Sequence, residues 1–303
     1  MKTFKHIIAA VDFTPSCLRA LREAMHRASV DGAAVTVVHV MDEMLVQELK
    51  QALSTSESAI RAEWEARLRK FVDESGAGGA KAAAEVRVGH PFSELVDACH
   101  AHGADLLVMG VKGSGTEASR IGVIAAKCIR KAPVDVLVVR HDAEPPFKKV
   151  LACVDFSDNS AKALRRALQL AAQDRAEVEC LYVYQSAMAM ALDYGGFITP
   201  LPPVISDDEA MKNWHKELDG FVAPIAREFE GVAVRTVVAE QLNIREAILD
   251  HVRDHHTDLV VLGTRGKSGL RHMLIGTTAE KIVQNAPCSI LAVKLHEPAA
   301  PSS

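Results

Sequence analysis

Two doubly wound, Rossmann-like α/β domains in tandem are predicted by three observations: an internal repeat, strands that are apolar throughout, and the alternation of those strands with helices. Residues 4–40 and 147–183 align without a gap, and fifteen of the thirty-seven pairs are identical. The likeness returns where Trp64, Leu68, Phe71 and Val72 match Trp214, Leu218, Phe221 and Val222. It returns again where ADLLVMGVKG (104–113) faces TDLVVLGTRG (257–266), and where KCIRKAPVDVLVVR (127–140) faces KIVQNAPCSILAVK (281–294). The offset grows from 143 to 150, 153 and 154 residues, which places the second copy's insertions at connections, where they are tolerated. The expected domains are 1–143 and 146–297, with 298–303 as a disordered tail.

Each copy opens on a buried run (Ile7 to Val11; Val150 to Val154) that leads into an aspartate, Asp12 or Asp155. Thr-Pro-Ser or Ser-Asp-Asn-Ser follows, a good N-cap sequence, and then an Ala/Leu/Arg helix. A second strand comes next (Ala34 to Val40; Glu177 to Tyr184), then a long helix around the tryptophan and a third strand (Ala84 to Val88; Ala233 to Val238). A shorter helix leads to a strongly apolar fourth strand (Asp105 to Met109; Asp258 to Leu262). A glycine-rich loop, another helix and a last strand (Val136 to Arg140; Ser289 to Lys294) complete the copy. Uninterrupted apolar strands alternating with helices indicate a parallel sheet covered on both faces, whose ligands belong at the carboxyl ends of its strands. Asp12, Asp155 and both glycine loops fall at those ends. The last strands would be sheet edges, and apolar edges invite pairing.

Apolar residues make up 49% of the chain and charged residues 24%, ordinary values for a globular protein. A net charge of -4 offers no bulk attraction to nucleic acid or anionic membrane. The six cysteines are scattered with no CxxC pair, which argues against a zinc knuckle, a redox dithiol or a disulfide framework. No segment reaches the ~18 apolar residues of a membrane span, so a reducing cytoplasm is the expected location.

The loop GTRGKSGLRHMLIGTTAEK (263–281) contains Gly263, Gly266 and Gly276 followed by Thr277, the pattern G-x2-G-x9-G-[ST]. Glycines let backbone N–H groups approach an anion closely, and the following helix presents unpaired N–H groups and its positive dipole end. Thr277 and Thr278 add hydroxyl donors, while Arg265 and Lys267 supply charge. A P-loop is excluded, because Val261 stands where its first glycine would be, and no GxGxxG dinucleotide fingerprint occurs. This loop, the VDFT and VDFS strand ends and the APCSILAVK tail together resemble the universal stress protein family, twice over, as in tandem-domain members. The resemblance implies a five-stranded parallel sheet of order 3-2-1-4-5 in each half and a cytoplasmic stress or signalling protein. It also implies ATP or another adenine nucleotide, with Mg2+ possible, in the second half. Carried over by position, the nucleotide contacts are Gly263, Thr264, Arg265, Gly266, Gly276, Thr277 and Thr278 at the phosphates and ribose. By the same resemblance Asp155 and Val183 line the adenosine end. Family edges make dimers, which here implies an internal pseudo-dimer of the two halves and pairing of whole chains through last-strand edges.

The first-half loop keeps Gly110, Gly113 and Gly122, but its second gap is one residue shorter. Val123 replaces the threonine, and Glu117 brings negative charge where phosphates would sit. This copy, including Asp12 and Val40, is therefore expected to be degenerate and kept for packing or partner contact. No GxSxG elbow or assembled Cys-His pair is present, so no enzyme is expected. Three rivals stand beside this reading: a slow ATPase using Asp155 and Mg2+, an interaction module without nucleotide, and a remote adenine-nucleotide α/β relative such as the electron-transfer flavoprotein or ATP-pyrophosphatase groups. His251 and His255, spaced i, i+4, fall along the apolar stripe of their helix and are read as packing and dipole residues; no metal is expected. The insertion from Gln185 to Asp208 is a candidate flap over the nucleotide or a partner surface.

Overall fold

A computed structural model describes residues 4–76, 82–111, 121–140, 142–185, 207–265 and 276–295. The chain divides into two compact units. One is Phe147–Pro287, and the other combines Met1–Pro146 with Cys288–Ser303.

In the first unit β1 (His6–Ala10), α1 (Pro15–Asp31), β2 (Ala34–Met41), α2 (Glu43–Leu53), α3 (Glu57–Glu74), β3 (Ala82–Val88), α4 (Pro91–Ala101), β4 (Leu106–Gly110), α5 (Val123–Lys131) and β5 (Asp135–Val139) follow one another. Their strands lie in the order β3-β2-β1-β4-β5, every pair parallel. The second unit repeats the scheme with β6 (Lys149–Cys153), α6 (Asp158–Asp174), β7 (Glu177–Tyr184), α7 (Asp207–Ala226), β8 (Val234–Glu240), α8 (Ile244–Asp254), β9 (Leu259–Gly263) and α9 (Thr277–Asn285). Its strand order is β9-β6-β7-β8, again parallel. The tandem, doubly wound α/β organisation is thus the one expected from the sequence.

Central strands such as Leu106 to Met109 and Leu259 to Leu262 are buried along their length, as a sheet covered on both faces requires. Capping fixes the helix starts: Ser157 accepts from Ser160 N at 3.2 Å, and Asn243 accepts from Arg245 N at 3.2 Å. Helix α1 begins on Pro15 and ends on Gly32, whose φ of 64° is the left-handed C-cap conformation. The repeat extends to individual polar contacts. Asp31 and Asp174, each ending the first helix of its unit, accept from Phe4 N and Phe147 N at 3.0 Å. A buried carboxylate at the same place in both copies ties the helix back to the chain entering β1 or β6.

The remaining strand, β10 (Ser289–Val293), pairs antiparallel with β5, and through it the last stretch counts with the first unit. Both strands are buried throughout. Ser289 Oγ accepts from Arg140 N at 3.2 Å, Asp135 Oδ1 accepts from Lys294 N at 2.9 Å, and the Lys294 ammonium donates to the Ile129 carbonyl. The edge of β5 is therefore covered within the chain. With β4 on one side and β10 on the other, β5 has no open edge for a second copy.

Candidate functional site

At the carboxyl ends of β6, β7 and β9 the second unit holds a cleft of about 390 Å³, within the range of small-ligand sites of about 300–1,000 Å³. Asp155, Val183, Gly263, Thr264, Arg265, Gly276 and Thr278 all line it, and Ile244, Ile248 and Ile282 supply an apolar wall. Gly266 lies outside the described residues, as do the side chain of Thr277, Lys267 and residues 186–206 of the insertion.

The cleft is shaped by its strand-to-helix turns. Asp155 Oδ1 accepts from Ser157 N at 3.1 Å and from Ser157 Oγ at 2.5 Å, which starts α6 and points this part of the chain away from the sheet. Phe156 between them adopts φ 61°, as Phe13 does in the first unit. Gly276 N–H donates to the Thr264 carbonyl at 2.9 Å and closes the glycine loop at its base. Gly276 is also the N-cap of α9 and offers no side chain to its N–H groups. The first helical bond runs from Glu280 N to Gly276 O, so the N–H groups of residues 277–279 have no acceptor within the helix. They meet the cleft at Thr278 and Ala279, where the helix dipole is positive.

The two described glycines of this loop have different physical reasons. A Cβ on Gly263 would stand 2.7 Å from Asn159 Nδ2, because the first turn of α6 presses against the end of β9. Asn159 is 3% exposed and donates from Nδ2 to the Arg265 carbonyl at 3.0 Å, holding the loop's first residues in place. A Cβ on Gly276 would meet nothing within 4 Å. The space beside Gly276 is open to the cleft, which suits an anion approaching the backbone.

The first unit keeps a cleft in the same place, of about 630 Å³, lined by Asp12, Val40, Gly110 and Gly122. Gly113 and Glu117 lie outside the described residues. Gly122 N–H donates to the Val111 carbonyl at 2.7 Å, so the base of the loop closes as in the second unit despite the missing residue. The deletion falls in the span between. Asp12 Oδ1 accepts from Thr14 N at 3.1 Å and from Thr14 Oγ1 at 2.6 Å, beside the start of α1. Val123 is 76% exposed at the start of α5 and lines the cleft with Ile124 and Ala125, so this helix end presents no hydroxyl in its first turn. Cys17 on the cleft wall is a poor nucleophile, since burial pushes its thiol up to about 12.

Several residues of these clefts were not singled out from the sequence. Asn159 and its counterpart Ser16 became visible only from their packing on Gly263 and Gly110. Aromatic clusters beside the clefts were also missed: Phe13, His39 and Trp64 line the first cleft with Phe71 against them, and Tyr182 lines the second with Phe156, Trp214 and Phe221 packed behind it. The matching Trp and Phe pairs of the repeat were their signal. His39 stacks on Trp64 at 5.1 Å and 12°, and its Nδ1 lies 2.8 Å from the Val11 carbonyl. Burial holds the His39 imidazole below its ordinary value, against an opposing pull from the Val11 carbonyl and Asp12. The unfolded chain then binds a proton more readily than the folded one below about pH 6.5. Stability from His39 is present above that pH and is lost as pH falls through the folded value. Melting of the first unit, followed by Trp64 fluorescence in Trp214→Phe, is expected to drop on acidification and to drop less in His39→Gln. Equal pH profiles for the two proteins would refute this assignment.

The model of the Universal stress protein family matches residues 3–140 and again 146–294. Universal stress protein YxiE of Bacillus subtilis is 33% identical over 150 residues, 49% of this chain and 99% of that protein. Universal stress protein Rv2623 of Mycobacterium tuberculosis is 24% identical over 306 residues, covering 95% of this chain and 96% of that protein. A solved universal stress protein from Archaeoglobus fulgidus superposes with a TM-score of 0.66 at 15% identity, over 95% of this chain and 98% of that one, a likeness of fold alone. With the family matched once in each half, and with the repeat and both glycine loops in place, the chain belongs to the universal stress protein family as a tandem two-domain member.

Proposed function

We propose that the second unit binds ATP, or another adenine nucleotide, and that the chain is a stress-response or signalling protein whose state follows the occupancy of that cleft. The observation that carries the reading is the uncapped N-terminus of α9, opening beside Gly276 into a cleft that also holds Arg265 and Thr278. Unpaired helix N–H groups, a hydroxyl and a guanidinium are the donors a polyphosphate needs, and Mg2+ bound with it would offset part of its negative charge. Asp155 and Val183 then hold the adenosine end. The tie from Asp155 Oδ1 to Ser157 supports a ligand-positioning part for this carboxylate over a general base. None of the six cysteines forms a disulfide, which fits a reducing cytoplasm, and among the described residues no helix is long and apolar enough to cross a membrane.

Calorimetric titration of the nucleotide-stripped chain with Mg-ATP tests the proposal. One equivalent per chain is expected, weakened about tenfold in Thr278→Ala by loss of one hydrogen bond to a charged group. Two equivalents would show that Val123 does not silence the first cleft. No binding would leave the chain a protein-interaction module.

A further inference from the structure

Away from the nucleotide cleft, the second unit gathers Glu179, His251 and His255 so that one ligand-capable atom of each lies within 4.8 Å of the others. Among the described residues this is the one such cluster of three. Glu179 stands on β7, His251 in the last turn of α8, and His255 is the residue that caps α8. The i, i+4 spacing was legible in the sequence, where both histidines were read as members of an apolar stripe. The structure adds a partner to that reading: His251 Nε2 lies 2.6 Å from Glu179 Oε2, a carboxylate of β7 that the sequence could not supply.

The geometry points to a site for a divalent transition-metal ion of the zinc class, held by Glu179, His251 and His255 with water in the fourth position. His255 Nδ1 lies 3.0 Å from the His251 carbonyl, so Nδ1 carries the proton and Nε2 keeps its lone pair for a ligand. The two imidazoles stack at 4.0 Å and 19°, and a ring nitrogen of each lies within 4.8 Å of the Glu179 carboxylate. The carboxylate is divided: Arg235 holds Oε1, and Oε2 faces the histidines. Glu179 and His251 are 19% and 10% exposed, while His255 at the helix end is open to solvent and leaves room for a water ligand.

Bonds of about 2.0–2.2 Å in a tetrahedron set ligand atoms about 3.3 Å apart, which side-chain rotation through about 1.5 Å achieves from the present spacing. In that movement His251 exchanges its hydrogen bond to Glu179 for the metal. The donor set also selects the ion. One carboxylate already shared with Arg235, with the Lys149 ammonium 3.1 Å from the His255 carbonyl, is a poor host for calcium or magnesium, which bind through oxygen charge. Two imidazoles suit zinc, cobalt or nickel.

The first unit carries the natural comparison. His102 Nε2 lies 2.6 Å from Glu85 Oε2, and Arg87 holds Glu85 Oε1, but Ala98 stands where His251 stands in the second unit. Its neighbouring histidine, His6, is bonded to Thr36 instead. The two contacts are not equivalent: Glu85 stands on β3, whereas the first-unit counterpart of Glu179 is Thr36 on β2, so the first unit has neither the carboxylate nor the second imidazole at this place.

The site lies on the same two elements as the nucleotide cleft. Val183 is four residues further along β7, roughly 13 Å at about 3.3 Å per residue, and Ile244 and Ile248 of α8 line the cleft. A metal at Glu179 would clamp the far end of α8 to the strand beneath it.

The test uses the full chain, freed of metal with a chelator, titrated with Zn2+ by calorimetry and with Co2+ by visible absorption. One equivalent of Zn2+ is expected, with a higher melting temperature and cobalt bands of a nitrogen and oxygen environment. His255→Ala, at a helix cap where the fold tolerates it, should lower Zn2+ affinity at least about tenfold with an unchanged circular dichroism spectrum. Glu179→Gln should do the same. Zn2+ binding equal in wild type and His255→Ala, an intense thiolate band on cobalt, or no binding at all would overturn the proposal.

Discussion

Gly110→Ala is expected to destabilise the first unit by about 2–4 kcal/mol, beyond repair by trimming the residue it strikes, whereas the matching Gly263→Ala in the second unit is repaired by Asn159→Ala. At Gly110 an added Cβ meets Ser16 Oγ at 2.7 Å, and the Ser16 backbone carbon and oxygen at 2.9 and 3.0 Å. Removing the hydroxyl in Ser16→Ala leaves both backbone contacts, so the helix itself must retreat from the sheet. At Gly263 the closest atoms are Asn159 Nδ2 at 2.7 Å and Cγ at 3.0 Å, and the backbone carbon is at 3.3 Å. Deleting the amide relieves the two short contacts and loses its hydrogen bond to the Arg265 carbonyl, a cost of about 1 kcal/mol. Denaturant melts followed separately through Trp64 and Trp214, each in a chain lacking the other tryptophan, resolve the two units. The double mutant at 159 and 263 should be at least about 1 kcal/mol more stable than additivity of the singles, and the one at 16 and 110 additive. Coupling of the same size in both pairs would sink this account of the glycines.

Gly276→Val is expected to lower ATP affinity at least about 100-fold, about 2.7 kcal/mol, while costing the fold less than about 1 kcal/mol. The two effects separate because a Cβ at this position meets nothing within 4 Å, and its φ of -66° suits any residue. The space a valine would take is the approach to the N–H groups of residues 277–279 and to Thr278. Calorimetry with Mg-ATP beside a thermal melt reads both quantities. Retained affinity would move the phosphates elsewhere in the cleft, and a large fall in melting temperature would mean that the site is packed against the glycine.

Much of the fold was legible because the repeat supplied each element twice. Phe4 to Val40 and Phe147 to Val183 carry the same apolar strand, aspartate, cap and helix, so an ambiguous signal in one half was settled by the other. The pairing of the last strand was implied only by the family resemblance, through its edge-to-edge pseudo-dimer, and not by the local sequence. Ser289 to Val293 reads as an apolar strand in any setting, and its antiparallel match to β5 depends on two edges meeting, which local pattern does not encode. In the candidate site, glycine spacing marked the loop and the family resemblance added Asp155 and Val183; the cleft is lined by Asp155, Val183, Gly263, Thr264, Arg265, Gly276 and Thr278. What stayed hidden were contacts between distant elements. Asn159 is an ordinary helix residue until β9 is laid against it, and Glu179 an ordinary strand residue until α8 crosses over it.

The partnership of β5 with β10 has a consequence for synthesis. Arg140 and Ser289 are 149 positions apart, so a ribosome adding about 5–20 residues per second takes roughly 7 to 30 s to make the second after the first. Throughout that interval β5, apolar over Val136 to Val139, waits with one edge unpaired and the whole of the second unit emerging beside it. The first unit is thus begun early and sealed late, and its nascent form is the stage at which this chain is most exposed to wrong strand partners.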